Sequence, residues 1–190
     1  ADVVILPEEA NVDGYELLFT ANPENCYMDA SLLEEIKKQE GVAAASPQFY
    51  SQTLDGSCCD FGYEMRVIGF DQETDFILKP YFHLQEFDVL QDGEIVLGGN
   101  FTDYVGKKSS ILGRQFLVVG ELYPTGTGMD DTIFMTIEMA RALTKNSELL
   151  GDAWKDKDPN QYISAIMLKL EEGVDAEKFA DKLWRYSGLP

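Results

Sequence analysis

The chain is predicted to be α+β, on two observations. Strand-like and helix-like segments mix along its 190 residues without the regular βαβ alternation of a parallel-sheet protein. Hydrophobic residues at 45% and aromatics at 12% exclude a disordered chain, and the length suffices to bury a real core in one domain or two small lobes.

Charge narrows the function classes. The net charge of −19, from 34 acidic and 15 basic residues, repels nucleic acid and anionic lipid headgroups, so no nucleic-acid partner is expected. Most of this charge reads as a solvated surface that favours solubility and attracts cations or basic partners. No run approaches the roughly 18 to 20 apolar residues that a membrane-spanning helix needs. The chain begins at Ala1 without a signal-like n-region or h-region and ends at Leu189-Pro190, just beyond an amphipathic segment; it reads as an excised domain.

In chain order, the apolar run Asp2 to Leu6, closed by Pro7, predicts a buried strand. Residues 7 to 28 are mixed, with Gly14 and Pro23 as breakers around Tyr15, Leu17, Leu18 and Phe19. A helix is predicted from about Asp29 to Glu40, capped by Asp29 or by a Ser31–Glu34 capping box, with Leu32, Leu33 and Ile36 facing inward and Glu34 paired to Lys38. Gly41 stops it, and Val42 to Leu54 reads as extended chain broken or bent at Pro47.

Tyr63 to Phe70 predicts a strand with Met65 and Val67 on one face and Ile68 and Phe70 on the other. Residues 71 to 93 form an acidic, aromatic connection without a clear period. Glu94 to Leu97 is a short strand, and Gly98-Gly99-Asn100 leads into a helical turn at Phe101 to Val105.

Phe116 to Met135 is the most structured stretch: a strand from Phe116 to Leu122, a loop around Pro124, Gly126 and Gly128, and a second strand at Ile133 to Met135. Its Gly-Thr-Gly is no phosphate loop, because the Walker pattern needs Gly-Lys-Ser/Thr opening a helix. Thr125 to Asp131 is expected as an exposed loop. A helix then runs from Thr136 to about Thr144 with Met139, Ala140 and Leu143 buried, and residues 145 to 160 form an exposed polar loop. Ile163 to Leu170 is a strand, apolar on both faces except Ser164 and Lys169. The last helix has Asp175 as cap, Val174 and Phe179 as staple, and a stripe of Phe179, Leu183 and Tyr186 flanked by Ala180 and Trp184.

This order suggests two lobes, an α+β lobe from residues 1–54 and 155–190 and a strand-rich inserted lobe from 55–154.

Several passages, in order, resemble the extracytoplasmic (periplasmic core) domain of MacB/FtsX-type ABC transporter permeases. They are Glu40-Gly-Val-Ala-Ala-Ala-Ser-Pro-Gln48 after a helix, Ile68-Gly-Phe-Asp-Gln-Glu-Thr-Asp-Phe76, Glu94-Ile-Val-Leu-Gly-Gly99, Gly113 to Leu122, and Thr132 to Ala140. The resemblance implies a porter-like lobe and a sabre-like lobe for the two segments. It implies a domain on the extracytoplasmic side of the cell membrane, between the first and second membrane helices of a permease. The permease would pair with a separate cytoplasmic ATPase and with a second copy of itself. The domain would pass ATP-driven motion outward, without catalysis or cofactor of its own.

Candidate chemistry is sparse. An extracytoplasmic location permits disulfides, and the odd count of Cys26, Cys58 and Cys59 leaves one thiol over. Cys26 bridged to Cys58 or Cys59, a vicinal Cys58-Cys59 bond, and free thiols all remain open. A thiol- or soft-metal-handling module using Cys58 and Cys59 is the alternative function, although a zinc site needs about four ligands and only one histidine exists. That histidine, His83, lies in Tyr81-Phe-His-Leu84 and reads as packed or idle. Asp71, Glu73 and Asp75 alternate like the start of a calcium loop, but the EF-hand positions six and twelve are Phe76 and Phe82, so turn formation is expected. Phe76, Tyr81, Phe82 and Phe87 read as core more than as a partner patch.

Overall fold

The computed structural model describes residues 1–10, 25–54, 61, 65–81, 89–148, 150 and 152–186, and among these described residues it has ten strands and three α-helices. The strands are β1 (Val3–Ile5), β2 (Met28–Asp29), β3 (Val42–Leu54), β4 (Met65–Phe70), β5 (Glu94–Leu97), β6 (Lys108–Ile111), β7 (Arg114–Glu121), β8 (Thr132–Thr136), β9 (Tyr162–Ile163) and β10 (Ala165–Leu170). The helices are α1 (Leu32–Ile36), α2 (Ile137–Asn146) and α3 (Ala176–Tyr186). Eight strands form a mixed sheet in the order β1-β10-β3-β4-β8-β5-β7-β6, and β2 pairs with β9 apart from it. The β4–β8 and β5–β7 pairs are parallel and the rest antiparallel. The α+β prediction holds. No helix among the described residues is long and apolar enough to cross a membrane.

Side-chain alternation gives the sheet two apolar faces. Met65 and Val67 join one core with Phe49, Ile95, Leu97, Ile133, Met135 and Leu168. Ile68 and Phe70 join the other with Tyr50, Val96, Phe134 and Met167. The two-faced reading of β4 is therefore correct, and β5 falls on its expected residues.

Other expectations need correction. β1 lies at the sheet's edge and is half-buried, not buried. The first helix is only Leu32–Ile36, because Asp29 is drawn into the pairing of β2 with Tyr162. Asp29 Oδ1 accepts from the Ser31 amide at 2.8 Å, and Ser31 itself makes no side-chain cap bond. Glu34 pairs with Lys37, not Lys38, at 2.9 Å.

β3 is not broken at Pro47, which pairs with Ile166 of β10. The Gln48 carbonyl accepts from Ser164 on the β10 side, so Pro47 turns its missing donor the other way, beyond Phe70, the last β4 partner. No helical turn forms at Phe101 to Val105, where Asp103 takes a left-handed φ of 68°. β6 was not anticipated.

The late helix, α2, starts where expected: Thr136 caps it by accepting from the Met139 amide, and Met139, Ala140 and Leu143 are buried. The 145–160 segment is not simply exposed, since Leu150, Trp154 and Pro159 are buried. Ser164 splits the predicted Ile163–Leu170 strand into β9 and β10. Asp175 accepts from Lys178 at the start of α3, Val174 and Phe179 close against Gly41, and Trp184 is 77% exposed. The Tyr15 to Phe19 cluster lies outside the described residues.

Candidate functional site

The anticipated cysteine site is only partly visible. Cys26, just before β2, is buried, and its Sγ donates to the Ser164 carbonyl at 3.7 Å, where β9 passes into β10. Cys58, Cys59, His83, Phe82 and Phe87 lie outside the described residues. Among the described residues no group of three or more His, Cys, Asp or Glu could hold a metal ion.

The acidic Asp71–Asp75 run makes turns. Asp71 Oδ1 accepts from the amides of Glu73 at 2.8 Å and Thr74 at 3.4 Å. Asp75 is buried, and its two oxygens accept from the amides of Ile77, Leu78 and Lys79 at 3.0–3.3 Å. Burial pushes the Asp75 carboxyl above its ordinary value, against the opposing pull of these amides. Phe76 packs against the second core, whereas Tyr81 is 42% exposed.

The Phe116–Met135 stretch forms a clamp rather than a free loop. A Cβ on Gly98 would stand 2.1 Å from the Met129 carbonyl oxygen, and one on Gly99 would stand 2.6 Å from Pro124 Cα. Only glycine lets the end of β5 lie this close against the loop. Gly98 N donates to Thr132 O at 2.8 Å, Asn100 N to Asp130 O at 3.1 Å, and Asn100 Nδ2 to Asp131 Oδ1 at 2.8 Å. The Asp130 carboxylate collects the Thr125 amide, the Thr125 hydroxyl and the Gly126 amide at 2.7–2.8 Å. Gly126 takes a φ of 70°; Gly128 does not take a positive φ. Gly128, Met129 and Asp130 are buried, which corrects the expectation of an exposed Thr125–Asp131 loop. Beside the clamp, the Tyr123 amide donates to Tyr81 O at 3.0 Å, so two half-exposed tyrosines sit together at this end of the molecule.

Two polar features escaped sequence reasoning. Arg66 of β4 is 3% exposed, and its Nε donates to Thr132 Oγ1 at 3.3 Å, which in turn donates to Gly128 O at 2.7 Å. It lines a small pocket with Gln48, Tyr50, Ile77, Leu78 and Met129. The Tyr50 hydroxyl donates to Gln48 Oε1 at 2.9 Å, and burial raises the Tyr50 phenol. An arginine inside the apolar run Met65-Arg-Val-Ile-Gly-Phe70 was the available signal.

The second feature is a box of Tyr27, Phe49, Trp154 and Tyr162, with ring centroids 4.8–5.9 Å apart. Arg141 lies over Phe49, and its Nη2 donates to Tyr162 O at 2.6 Å. Apart from Arg141 Nε, which is buried without a hydrogen-bond partner, these polar groups are engaged with backbone or side-chain partners, which suits fixing a seam better than acid–base chemistry.

The family model described as "MacB-like periplasmic core domain" matches residues 3–186. Among solved structures, the fold is similar to the periplasmic region of MacB from Actinobacillus actinomycetemcomitans, at 12% identity and a TM-score of 0.56, covering 87% of this chain and 78% of that one. It is also similar to the extracellular domain of the noncanonic ABC-type transporter YknZ from Gram-positive bacteria, at 12% identity and a TM-score of 0.50, covering 96% and 86%. No curated protein matches. With the mixed sheet and the match across nearly the whole chain in agreement, the chain belongs to the MacB-like periplasmic core domain family, an extracytoplasmic domain of ABC transporter permeases.

Proposed function

We propose that this domain transmits ATP-driven conformational change from the membrane to the extracytoplasmic space and contacts substrate or a partner there. It acts with a separate cytoplasmic ATPase and a second permease copy, and is attached to the membrane by helices flanking this chain. Hydrolysis belongs to the ATPase, and the domain itself is not catalytic.

The observation that carries this reading is the layout of the sheet. β1 and β10, from the two terminal segments, lie side by side at one end, where the Asp2 amide donates to Leu168 O and Asp2 Oδ2 accepts from the Leu170 amide, both at 2.8 Å. The clamped Tyr123–Asp131 loop lies toward the other end, between β7 and β8. A displacement applied at the first end has a hydrogen-bonded route to the second.

Within this one sheet the two proposed lobes are neighbouring groups of strands that share both cores. β1, β10 and β3 come from residues 1–54 and 155–190, and β4, β8, β5, β7 and β6 from 55–154. The alternative thiol- or metal-handling reading draws no support from Cys26, whose sulfur is buried against a backbone carbonyl.

Purification of the full-length gene product from membranes tests the partners. It should bring down an ATPase subunit and a second copy; a monomer without nucleotide-hydrolysing activity would overturn the proposal.

A further inference from the structure

We infer that the described strands of the terminal and inserted segments behave as one mechanical and cooperative body, braced by α2, with no hinge at the β3–β4 ladder. A hinge is a short stretch that absorbs backbone rotation while few buried contacts cross it. Here the seam between the segments is the β3–β4 ladder in the middle of the sheet, with Gln48↔Phe70, Phe49↔Gly69, Tyr50↔Ile68, Ser51↔Val67 and Leu54↔Met65 paired. Apolar packing crosses it on both faces. Phe49 and Leu168 share one core with Val67, Ile95 and Ile133. Tyr50 and Met167 share the other with Ile68, Val96 and Phe134.

The brace is α2, anchored to strands from both segments. A Cβ at Gly69 of β4 would stand 2.6 Å from Ala140 Cβ and 3.0 Å from Ile137 Cα, so the helix lies directly on that strand. Thr144 Oγ1 meets Ser51 Oγ of β3 at 3.0 Å, and both residues are fully buried. Arg141 reaches the Tyr162 carbonyl of β9, and Met139 Sδ accepts from the Gly93 amide, one residue before β5, at 3.2 Å. With α2 held on β4 and beside β5, bending the sheet at β3–β4 would have to break its anchors to Ser51 of β3 and Tyr162 of β9.

The inference does not depend on the transport reading, because it concerns the chain alone. Native-state hydrogen exchange on the 190-residue chain tests it. Amides of β10 and those of β5 and β7 should exchange through one opening, with the same protection limit and the same denaturant dependence. If β5, β7 and β6 open about tenfold more often than β10, with a smaller denaturant dependence, the inference fails. In Thr144→Val, protection should fall by the same factor on both sides of the seam, on the order of tenfold. A loss confined to one side would equally overturn it.

Discussion

Replacing Gly98 by alanine probes the clamp most sharply. The new methyl would lie 2.1 Å from the Met129 carbonyl oxygen and 2.4 Å from that of Asp130, whereas ordinary van der Waals contact begins at 3.4 Å. The loop must therefore retreat by about 1.3 Å, the difference between 3.4 and 2.1 Å. The atoms in the way are backbone, so no side-chain rotation relieves the overlap. A retreat of that size stretches the bonds Gly98 N to Thr132 O and Asn100 N to Asp130 O beyond hydrogen-bonding range.

Overpacking costs about 1–3 kcal/mol, and two lost hydrogen bonds roughly 1 kcal/mol each, so the expected loss is about 3–5 kcal/mol. For a chain of this size that corresponds to a fall in Tm of about 6–20 °C. Gly106→Ala is the control. Nothing lies within 4 Å of its Cβ position, and only its φ of 83° resists, a cost of about 1–2 kcal/mol. Urea unfolding followed by circular dichroism compares the two. If Gly98→Ala costs no more than Gly106→Ala, the clamp is not rigid and the reasoning is refuted.

Two further expectations follow from the interior. Trp154→Ala should cost about 3–5 kcal/mol by emptying the box of Tyr27, Phe49 and Tyr162. Because Trp154 is 8% exposed and Trp184 77%, the variant should also lose the blue-shifted component of tryptophan fluorescence; an unchanged spectrum would contradict the burial. Asp75→Asn should change the pH dependence of stability. The Asp75 carboxyl is raised in the folded state, so its contribution is fully present below its unfolded value and is lost as pH rises from about 4 through the folded value. Wild type should therefore lose stability relative to the variant over that window, as read from urea midpoints. A difference that grows in favour of wild type would show that the amide bonds outweigh burial.

Legibility in the sequence followed the range of the interactions. β5, the two faces of β4 and the Thr136 cap of α2 are set by alternation and local hydrogen bonding, and all were readable. Sheet order was not: the parallel β4–β8 pairing joins strands separated by about 60 residues, and nothing in either strand names its partner. β6 was missed because Lys108-Ser-Ser-Ile111 has few strand formers and is held by pairing with β7. Asp130 and Trp154 were placed at the surface because their neighbours are polar. Asp130 is buried because the amides of its own loop satisfy it, and Trp154 because distant aromatics surround it. Of the candidate site, the Gly98-Gly99 turn and the Gly126 loop were recognised separately, but their backbone contact appears only in three dimensions.

As the proposed transmitter, the domain should move when ATP is bound or hydrolysed below it. Spin labels placed by an unnatural amino acid at exposed Lys178, one in each copy of the full-length transporter reconstituted in lipid, report the distance between the two domains. That distance should shift between the nucleotide-free and ATP-bound states, while a second pair within one copy, at Lys178 and Gly126, stays fixed. An inter-copy distance that ignores nucleotide would contradict the account.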